Sequence, residues 1–266
     1  MKKRKPTMFL LISASVFLVI GIIILSIGVI QGGDIYFKQH RYGPISTIIF
    51  SDKNDGFYQE YTSKYDISSI EIDADLGDIT LKAGSTYKVE FINFDKNEVS
   101  YENNKGKVEI NTHTKSFGIS LSGINNDGRE IILTVPKTCI EVDIEANLGS
   151  VYLSGLHLKE ANISLDIGSI DINDAVLGEA TFILDVGDLD YQGEINKTLE
   201  AKAACGEINI TLDDKKEHYA YKLKTDLGSI EIDGDHMHSK YEVNTHSTPL
   251  IEAKANLGSI EIDFEN

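Results

Sequence analysis

From Asp66 to the C-terminus, apolar and polar residues alternate in short runs. Ile70, Ile72 and Ala74, for example, are separated by single acidic residues. Alternation with a period of two places apolar side chains on one face of a β-strand. No part of this region has the helical period of an amphipathic helix. The pattern therefore predicts an all-β region that covers most of the chain.

A five-residue unit of the form Asp/Asn-apolar-Gly-Ser/Asp-apolar recurs along this region. Its central glycines are Gly77, Gly149, Gly168, Gly187, Gly206, Gly228 and Gly258. The three sequence spacings from Gly149 to Gly206 are equal, at 19 each, and the next two are 22 and 30. A fixed period of this length is the signature of a repeat architecture. We predict that these glycines are structural turns.

The alternation changes parity once within each unit, at the glycine. Counted from the glycine as position 0, the mostly apolar positions are −5, −3, −1, +2 and +4. For Gly168 they are Ile163, Leu165, Ile167, Ile170 and Ile172. This predicts a corner between two strands, with all five positions facing inward, because glycine tolerates a tight bend. A corner that returns at this fixed spacing predicts a β-solenoid whose coils stack ~4.8 Å apart.

The chain after residue 30 is predicted to divide into three segments. Residues 31–65 are predicted to form a stalk and leading strands, residues 66–138 an irregular N-terminal β cap, and residues 139–266 the solenoid repeats. The spacing from Gly228 to Gly258 is 30, against 19 for the regular unit. We expect the additional chain, around Asp235–Thr248, to form a loop.

Residues 8–30 form a continuous stretch without a charged side chain. At ~1.5 Å per residue, a helix of this length crosses a bilayer. Lys2, Lys3, Arg4 and Lys5 precede it, which predicts a cytoplasmic tail over residues 1–7 and an extracellular C-terminal region. A cleaved signal peptide is the alternative, but its apolar region is normally shorter. The sequence therefore predicts a single-pass cell-membrane protein that contacts the lipid bilayer through residues 8–30.

The repeat cores, such as DLGDI at 75–79 and DIGSI at 166–170, resemble those of the bacterial "putative adhesin" family of unknown function, which includes membrane-anchored LiaG-like proteins. The strand Ile131–Pro136 and the preceding apolar segment resemble it as well. The resemblance implies display at the cell envelope and adhesion, and it supplies no catalytic residues. The unit ACGEI departs from the pattern, because Ala204 replaces the acidic or amide residue.

Acidic residues outnumber basic ones by 42 to 25, which gives a net charge of −17. Such a surface disfavours nucleic acid and favours cations or a basic cell-surface or envelope protein. The outward positions +3 and +5 are acidic or polar, as at Asp171 and Asp190, and predict a negative sheet face. A solvated face that prevents edge-to-edge aggregation is the alternative.

Position −2 is a column of Asp and Asn residues. A hydrogen bond to nearby backbone explains such side chains at a turn. The alternative is a Ca²⁺ site formed by Asp166, Asp185 and the neighbouring Asp188, because carboxylate oxygens suit this ion. No other cofactor is predicted.

Cys139 and Cys205 are too few for a disulfide scaffold. Cys205 occupies position −1, which predicts a packed free thiol, with a Cys139–Cys205 bridge as the alternative. We predict no catalytic residues. The favoured function is a non-enzymatic, membrane-anchored envelope protein that displays an acidic β-solenoid for adhesion or protein interaction, with envelope-stress signalling included. The alternative is a polysaccharide-active β-helix enzyme, which would need carboxylates and basic groups in an aromatic-lined groove.

Overall fold

A computed structural model of the protein describes residues 58–113 and 128–265. These residues form nineteen strands and one short 3-10 helix, Lys216–His218. The strands are β1 (Tyr58–Thr62), β2 (Ser69–Leu76), β3 (Asp78–Gly84), β4 (Lys88–Ile92), β5 (Val99–Asn104), β6 (Lys107–Thr112), β7 (Glu130–Pro136), β8 (Glu141–Leu148), β9 (Val151–Ser154), β10 (His157–Ile167), β11 (Ile170–Val186), β12 (Leu189–Cys205), β13 (Ile208–Leu212), β14 (Ala220–Leu227), β15 (Ile230–Ile232), β16 (Asp235–Met237), β17 (Lys240–Val243), β18 (Leu250–Leu257) and β19 (Ile260–Phe264).

The predicted membrane segment, residues 8–30, lies outside the described residues, as do the predicted cytoplasmic tail and most of the predicted stalk. In the part of the chain that the structure describes, no helix is long and apolar enough to span a membrane.

The repeat spacing seen in the sequence is the length of one coil. Ile144 pairs in parallel with Ile163, and Ile163 pairs with Phe182. Phe182 pairs in turn with Ala201, again one repeat further along the chain. Each coil is thus hydrogen-bonded to the next along its length. The prediction of an all-β, solenoid-like repeat stack is confirmed.

The order of the coils departs from chain order at both ends. Ala201 of the Gly206 coil pairs with Ala253, and Ala253 pairs on its other side with Leu223. The C-terminal Gly258 coil is therefore inserted between the Gly206 and Gly228 coils. At the other end, Ile72 lies between Ile110 and Ile144, so the Gly77 coil is also an inner coil. From end to end, the corner glycines are Gly77, Gly149, Gly168, Gly187, Gly206, Gly258 and Gly228.

Antiparallel strands close both ends of the stack. At the N-terminal end β5 pairs with β6, and β4 pairs with β7 and β1. At the other end β17 pairs with β14 and β16 pairs with β15. The segment around Asp235–Thr248 was predicted to be a loop. This prediction was wrong, because the segment contains β16 and β17, which pair with β15 and β14 of the last coil. The outer edges of the stack are therefore short antiparallel strands, which are poor templates for pairing with other chains. The predicted boundary after residue 138 falls between β7 and β8, and strands on both sides of it belong to one stack.

The core confirms four of the five predicted inward positions. Positions −5, −3, +2 and +4 of the Gly168 coil, for example, are at most 2% exposed. Position −1 was predicted wrongly: Ile167 is 51% exposed and Val186 is 47% exposed. The strands continue through position −1, but the alternation breaks before the glycine, so that two consecutive residues, such as Asp166 and Ile167, are exposed. Cys205, at position −1, is accordingly exposed.

Candidate functional site: an acidic patch on the long face

The strands that precede the corner glycines form one continuous face of the solenoid, which we call the long face. It also includes β5 and β6 at one end and β17 at the other, so that its strands in order are β5, β6, β2, β8, the second halves of β10, β11 and β12, and then β18, β14 and β17. Its inward side chains form the core. The outward side chains come mainly from positions −6 and −4, and the parallel register aligns them in rows across the strands.

One end of the long face carries a row of four carboxylates on four adjacent strands. Glu102 pairs with Glu109, Glu109 with Glu71, and Glu71 with Asp143. Adjacent strands lie ~4.8 Å apart, and like charges directly opposite each other are destabilising. A second row places Asp73 beside Glu145, and a third places Glu141 beside Glu160. We call these eight residues the acidic patch.

The carboxylates of the acidic patch are largely uncompensated. Glu109 accepts a hydrogen bond from Asn111 Nδ2 at 3.1 Å, and Glu160 accepts one from Asn162 Nδ2 at 3.1 Å. Among the described residues, none of the eight carboxylates forms an ion pair with a Lys, Arg or His side chain. The negative charge of this surface is therefore open to an external cation.

At the opposite end of the long face, a row of Lys202, Lys254, Lys224 and Lys240 lies beside a row that contains Glu200, Glu252 and Glu242, so that the two signs compensate each other between rows. Lys202 forms an ion pair with Glu200, and Lys222 Nζ lies 2.7 Å from Glu252 Oε1. Beyond them, Lys240 Nζ lies 3.0 Å from Glu242 Oε1. One sheet face thus changes from unpaired acids to paired ions along the stack. The charge of the acidic patch is a local property and does not simply follow from the net charge.

A shallow pocket of about 350 Å³ lies over the acidic patch. It is lined by Ser69, Ile70, Glu71, Glu102, Asn104, Lys107, Val108, Glu109, Glu141, Val142, Asp143, Glu160 and Asn162. Six of these thirteen residues are acidic, one is basic and none is aromatic. This lining suits ammonium or guanidinium groups on a basic segment. It lacks the aromatic walls that a sugar-cleaving groove was expected to need.

The corner glycines form a column in which each one faces the next. Their φ angles lie between +137° and +156°. The predicted turn-cap role of position −2 is performed by acids at position +1: Asp78 Oδ1 accepts Ser150 N–H at 3.0 Å, and Asp188 Oδ1 accepts Glu207 N–H at 2.8 Å. Asn147 of the −2 column donates instead to the Asp75 side chain.

The predicted Ca²⁺ ligands are not gathered into a ligand set. Asp166 and Asp185 occupy equivalent exposed positions one coil apart, whereas Asp188 accepts the Glu207 amide hydrogen bond. Within residues 58–113 and 128–265, no group of three or more His, Cys, Asp or Glu side chains could hold a metal ion.

Both cysteines are free thiols. Cys139 is buried, and burial raises the pKa of its thiol to about 11. Cys205 is exposed. The alternative of a Cys139–Cys205 bridge is therefore wrong for this structure.

The sequence profile of the Toastrack DUF4097 family matches the chain twice, over residues 67–150 and 138–263. The chain belongs to this family. Each match contains corner glycines of the stack, so the Toastrack DUF4097 profile describes the coils themselves. The resemblance to proteins called "putative adhesins" is confirmed at the level of the family.

Solved structures similar to this Toastrack protein include a "putative cell adhesion protein" from Clostridium sporogenes. That match has 14% identity and a TM-score of 0.44, and it covers 79% of this chain and 100% of that chain. A "putative adhesin" from Bacteroides fragilis matches with 12% identity and a TM-score of 0.45, covering 79% of this chain and 98% of that one. No curated protein is significantly similar to the chain.

Sequence reasoning placed the negative face at Asp171 and Asp190 and missed the acidic patch. In the structure Asp171 and Asp190 are also paired in register, on the strands that follow the corner glycines, and each accepts one hydrogen bond from a neutral side chain, Ser169 and Asn209 respectively. A usable signal was present: Glu71 and Asp143 both occupy position −6 relative to a corner glycine. Equal distance from the glycine would have placed them in one row.

Proposed function

We propose that this protein is a non-enzymatic, membrane-anchored envelope protein that binds a basic protein partner through the acidic patch. The observation that carries the proposal is the in-register row of Glu102, Glu109, Glu71 and Asp143, which forms no ion pair with a basic side chain among residues 58–113 and 128–265. Stacked like charges cost stability, and binding of a lysine- or arginine-rich segment offsets that cost. Adhesion and assembly with another envelope protein both fit this chemistry. A role in envelope-stress signalling stays a prediction from the sequence.

The anchor is proposed from residues 8–30 and the basic cluster before them. In this arrangement the solenoid stands outside the cell, where its patch meets surface and envelope proteins. The pocket over the acidic patch supplies carboxylates and one lysine, but its lining has none of the aromatic side chains that the polysaccharide-active alternative needs.

Binding is tested with a defined probe, a lysine-rich peptide of about ten residues, titrated calorimetrically against the full chain in phosphatidylcholine nanodiscs. We expect the Kd to rise at least about tenfold in the double variant Glu71→Gln/Asp143→Asn, because two of the four stacked charges are removed. Raising the salt concentration from about 0.05 M to about 0.2 M should weaken wild-type binding as well, since screening acts on exposed charges.

The matched control is Glu200→Gln/Glu252→Gln, which removes two acids from the same face at its ion-paired end. We expect this variant to bind the peptide like the wild type. Equal losses in both double variants would show that net charge alone governs binding, and the proposed site would be wrong.

The topology is tested on intact cells with a membrane-impermeant maleimide. Cys205 is exposed in the native fold and Cys139 is buried, so the maleimide should label only Cys205. We expect Cys205 to react in intact cells and the protein to remain in the membrane fraction after alkaline carbonate washing. Labelling that requires cell lysis would contradict the extracellular orientation.

A further inference from the structure

The residues immediately before the corner glycines form a continuous apolar stripe on the outside of the molecule. In stack order they are Leu76, Leu148, Ile167, Val186, Cys205, Leu257 and Leu227. Each is paired in register with the next, so the row is unbroken across seven coils. We call it the corner stripe. It lies at the bend of each coil and includes none of the acidic-patch residues.

Much of the corner stripe is exposed to solvent. Leu257 is 49% exposed and Leu227 is 68% exposed, although each neighbouring coil covers part of the side chain. Single exposed apolar residues are ordinary on protein surfaces, whereas contiguous apolar rows with polar rims mark interaction sites. The solenoid does not require apolar residues here, since position −1 contributes nothing to the buried core.

The backbone of the corner stripe offers no sheet edge to a partner. Gly168 N–H donates to Val186 O at 3.0 Å, and Gly187 N–H donates to Cys205 O at 2.9 Å. Gly206 N–H donates to Leu257 O at 2.9 Å. Because these groups already bond from coil to coil, a partner cannot bind by adding a strand. It must dock through side chains.

Carboxylates flank the corner stripe on both sides. Position −2 supplies Asp75, Asp166, Asp185 and Asp226, of which Asp226 forms an ion pair with Lys224 at 2.7 Å, and position +1 supplies Asp78, Asp188 and Glu207. Two copies of the stripe placed face to face would oppose these negative rims, and anionic lipid would be repelled in the same way. Charge complementarity therefore favours a partner with an apolar centre and basic margins.

We propose that the corner stripe is the docking surface for an amphipathic α-helix of a partner protein, with lysine or arginine along both margins of its apolar face. At ~4.8 Å per coil, seven coils span about 29 Å, the length of a helix of about 19 residues. Apolar helix positions repeat every ~5.4 Å, close to the spacing of the stripe residues. The basic margins lie over the Asp and Glu columns, as charged flanking positions do beside a coiled-coil seam.

Cys205 is a native reporter for this surface. It is the fifth of the seven residues of the corner stripe, between Val186 and Leu257, and the other cysteine is buried. The probe is a synthetic helical peptide of about 20 residues with a leucine face and lysine margins. We expect it to slow alkylation of Cys205 in the full chain in phosphatidylcholine nanodiscs at least about tenfold at saturation. Val186→Ser/Leu257→Ser should abolish this protection, and Asp166→Asn/Asp185→Asn should weaken it.

The control variant is Ile183→Ser, which removes an exposed apolar side chain from the same coil as Val186 but away from the stripe. Its protection should match that of the wild type. Absence of protection by the peptide would overturn the proposal. Equal protection by a scrambled peptide would also overturn it, because the effect would then come from charge alone. Protection by a higher protein concentration would indicate self-association, and protection by phosphatidylglycerol in the nanodisc would indicate lipid binding; either result would overturn the proposal.

Discussion

At the scale of single residues, the corner glycines leave no room for a side chain between neighbouring coils. A Cβ atom on Gly187 would overlap the carbonyl oxygen of Gly168, and its φ of +143° is itself unfavourable for other residues. We therefore expect Gly187→Ala to lower the free energy of unfolding by more than about 3 kcal/mol, measured by urea denaturation.

The control for that substitution is Gly234→Ala. Gly234 also has a positive φ, +76°, but no atom lies within 4 Å of the position of an added Cβ. We expect a loss of about 1 to 2 kcal/mol from backbone strain alone. Equal losses at both positions would mean that the contact between coils is not what requires glycine.

The two thiols should differ sharply in reactivity. Burial raises the pKa of Cys139 to about 11, so little thiolate forms near neutral pH. We expect iodoacetamide at about pH 8 to modify Cys205 alone in the native protein, as read by mass spectrometry. Because the folded-state pKa is the higher one, the stabilisation from a neutral Cys139 is present below about pH 9 and lost as the pH rises through about 11. Native modification of both thiols at similar rates would contradict the burial of Cys139.

At the scale of elements, the inserted C-terminal coil holds the end of the stack together. β18 pairs with both β12 and β14, and β19 pairs with both β13 and β15. We expect truncation after Pro249 to remove hydrogen-exchange protection from β14 and β15, because their parallel partners are lost. If the coils were stacked in chain order, β14 would pair directly with β12 and would stay protected, and that result would disprove the insertion.

The coil was predictable because its period is local in the sequence, whereas the order of the coils was not. The long interval between Gly228 and Gly258 allows the Gly258 coil either to extend the end of the stack or to lie between the Gly206 and Gly228 coils. Only the strand pairing distinguishes these two arrangements. The prediction that position −1 faces inward was wrong for a similar reason, since the alternation does not show where the inward-facing pattern ends before the glycine. The row of Glu71 and Asp143 could be read from their shared position −6, whereas Glu109 and Glu102 join it only through the pairing of β6 and β5, which no corner glycine marks.

At the scale of the whole molecule, the long face is asymmetric in how it handles charge. Its far end places lysines beside glutamates, as at Lys222 and Glu252. The N-terminal end instead aligns Glu71 with Asp143 and Glu109. Surface ion pairs contribute little individually, about 0 to 1 kcal/mol. A row of like charges is a repeated cost, however, and a protein under selection for stability alone would be expected to lose it.

This asymmetry predicts that the acidic patch lowers the free energy of unfolding of the protein. We expect Glu71→Gln/Asp143→Asn to raise the free energy of unfolding by about 0.5 to 1.5 kcal/mol at low salt, because two stacked repulsions disappear. Added salt should stabilise the wild type more than the variant, since screening removes the same repulsion. Thermal unfolding of the full chain in nanodiscs at low and high salt measures both effects. The control Glu200→Gln/Glu252→Gln removes the one repulsion between these opposed residues and also breaks two ion pairs with lysines, so stability should stay unchanged or fall. If neutralising Glu71 and Asp143 instead lowers stability, those carboxylates support the fold, and the cost that a basic partner is proposed to offset does not exist.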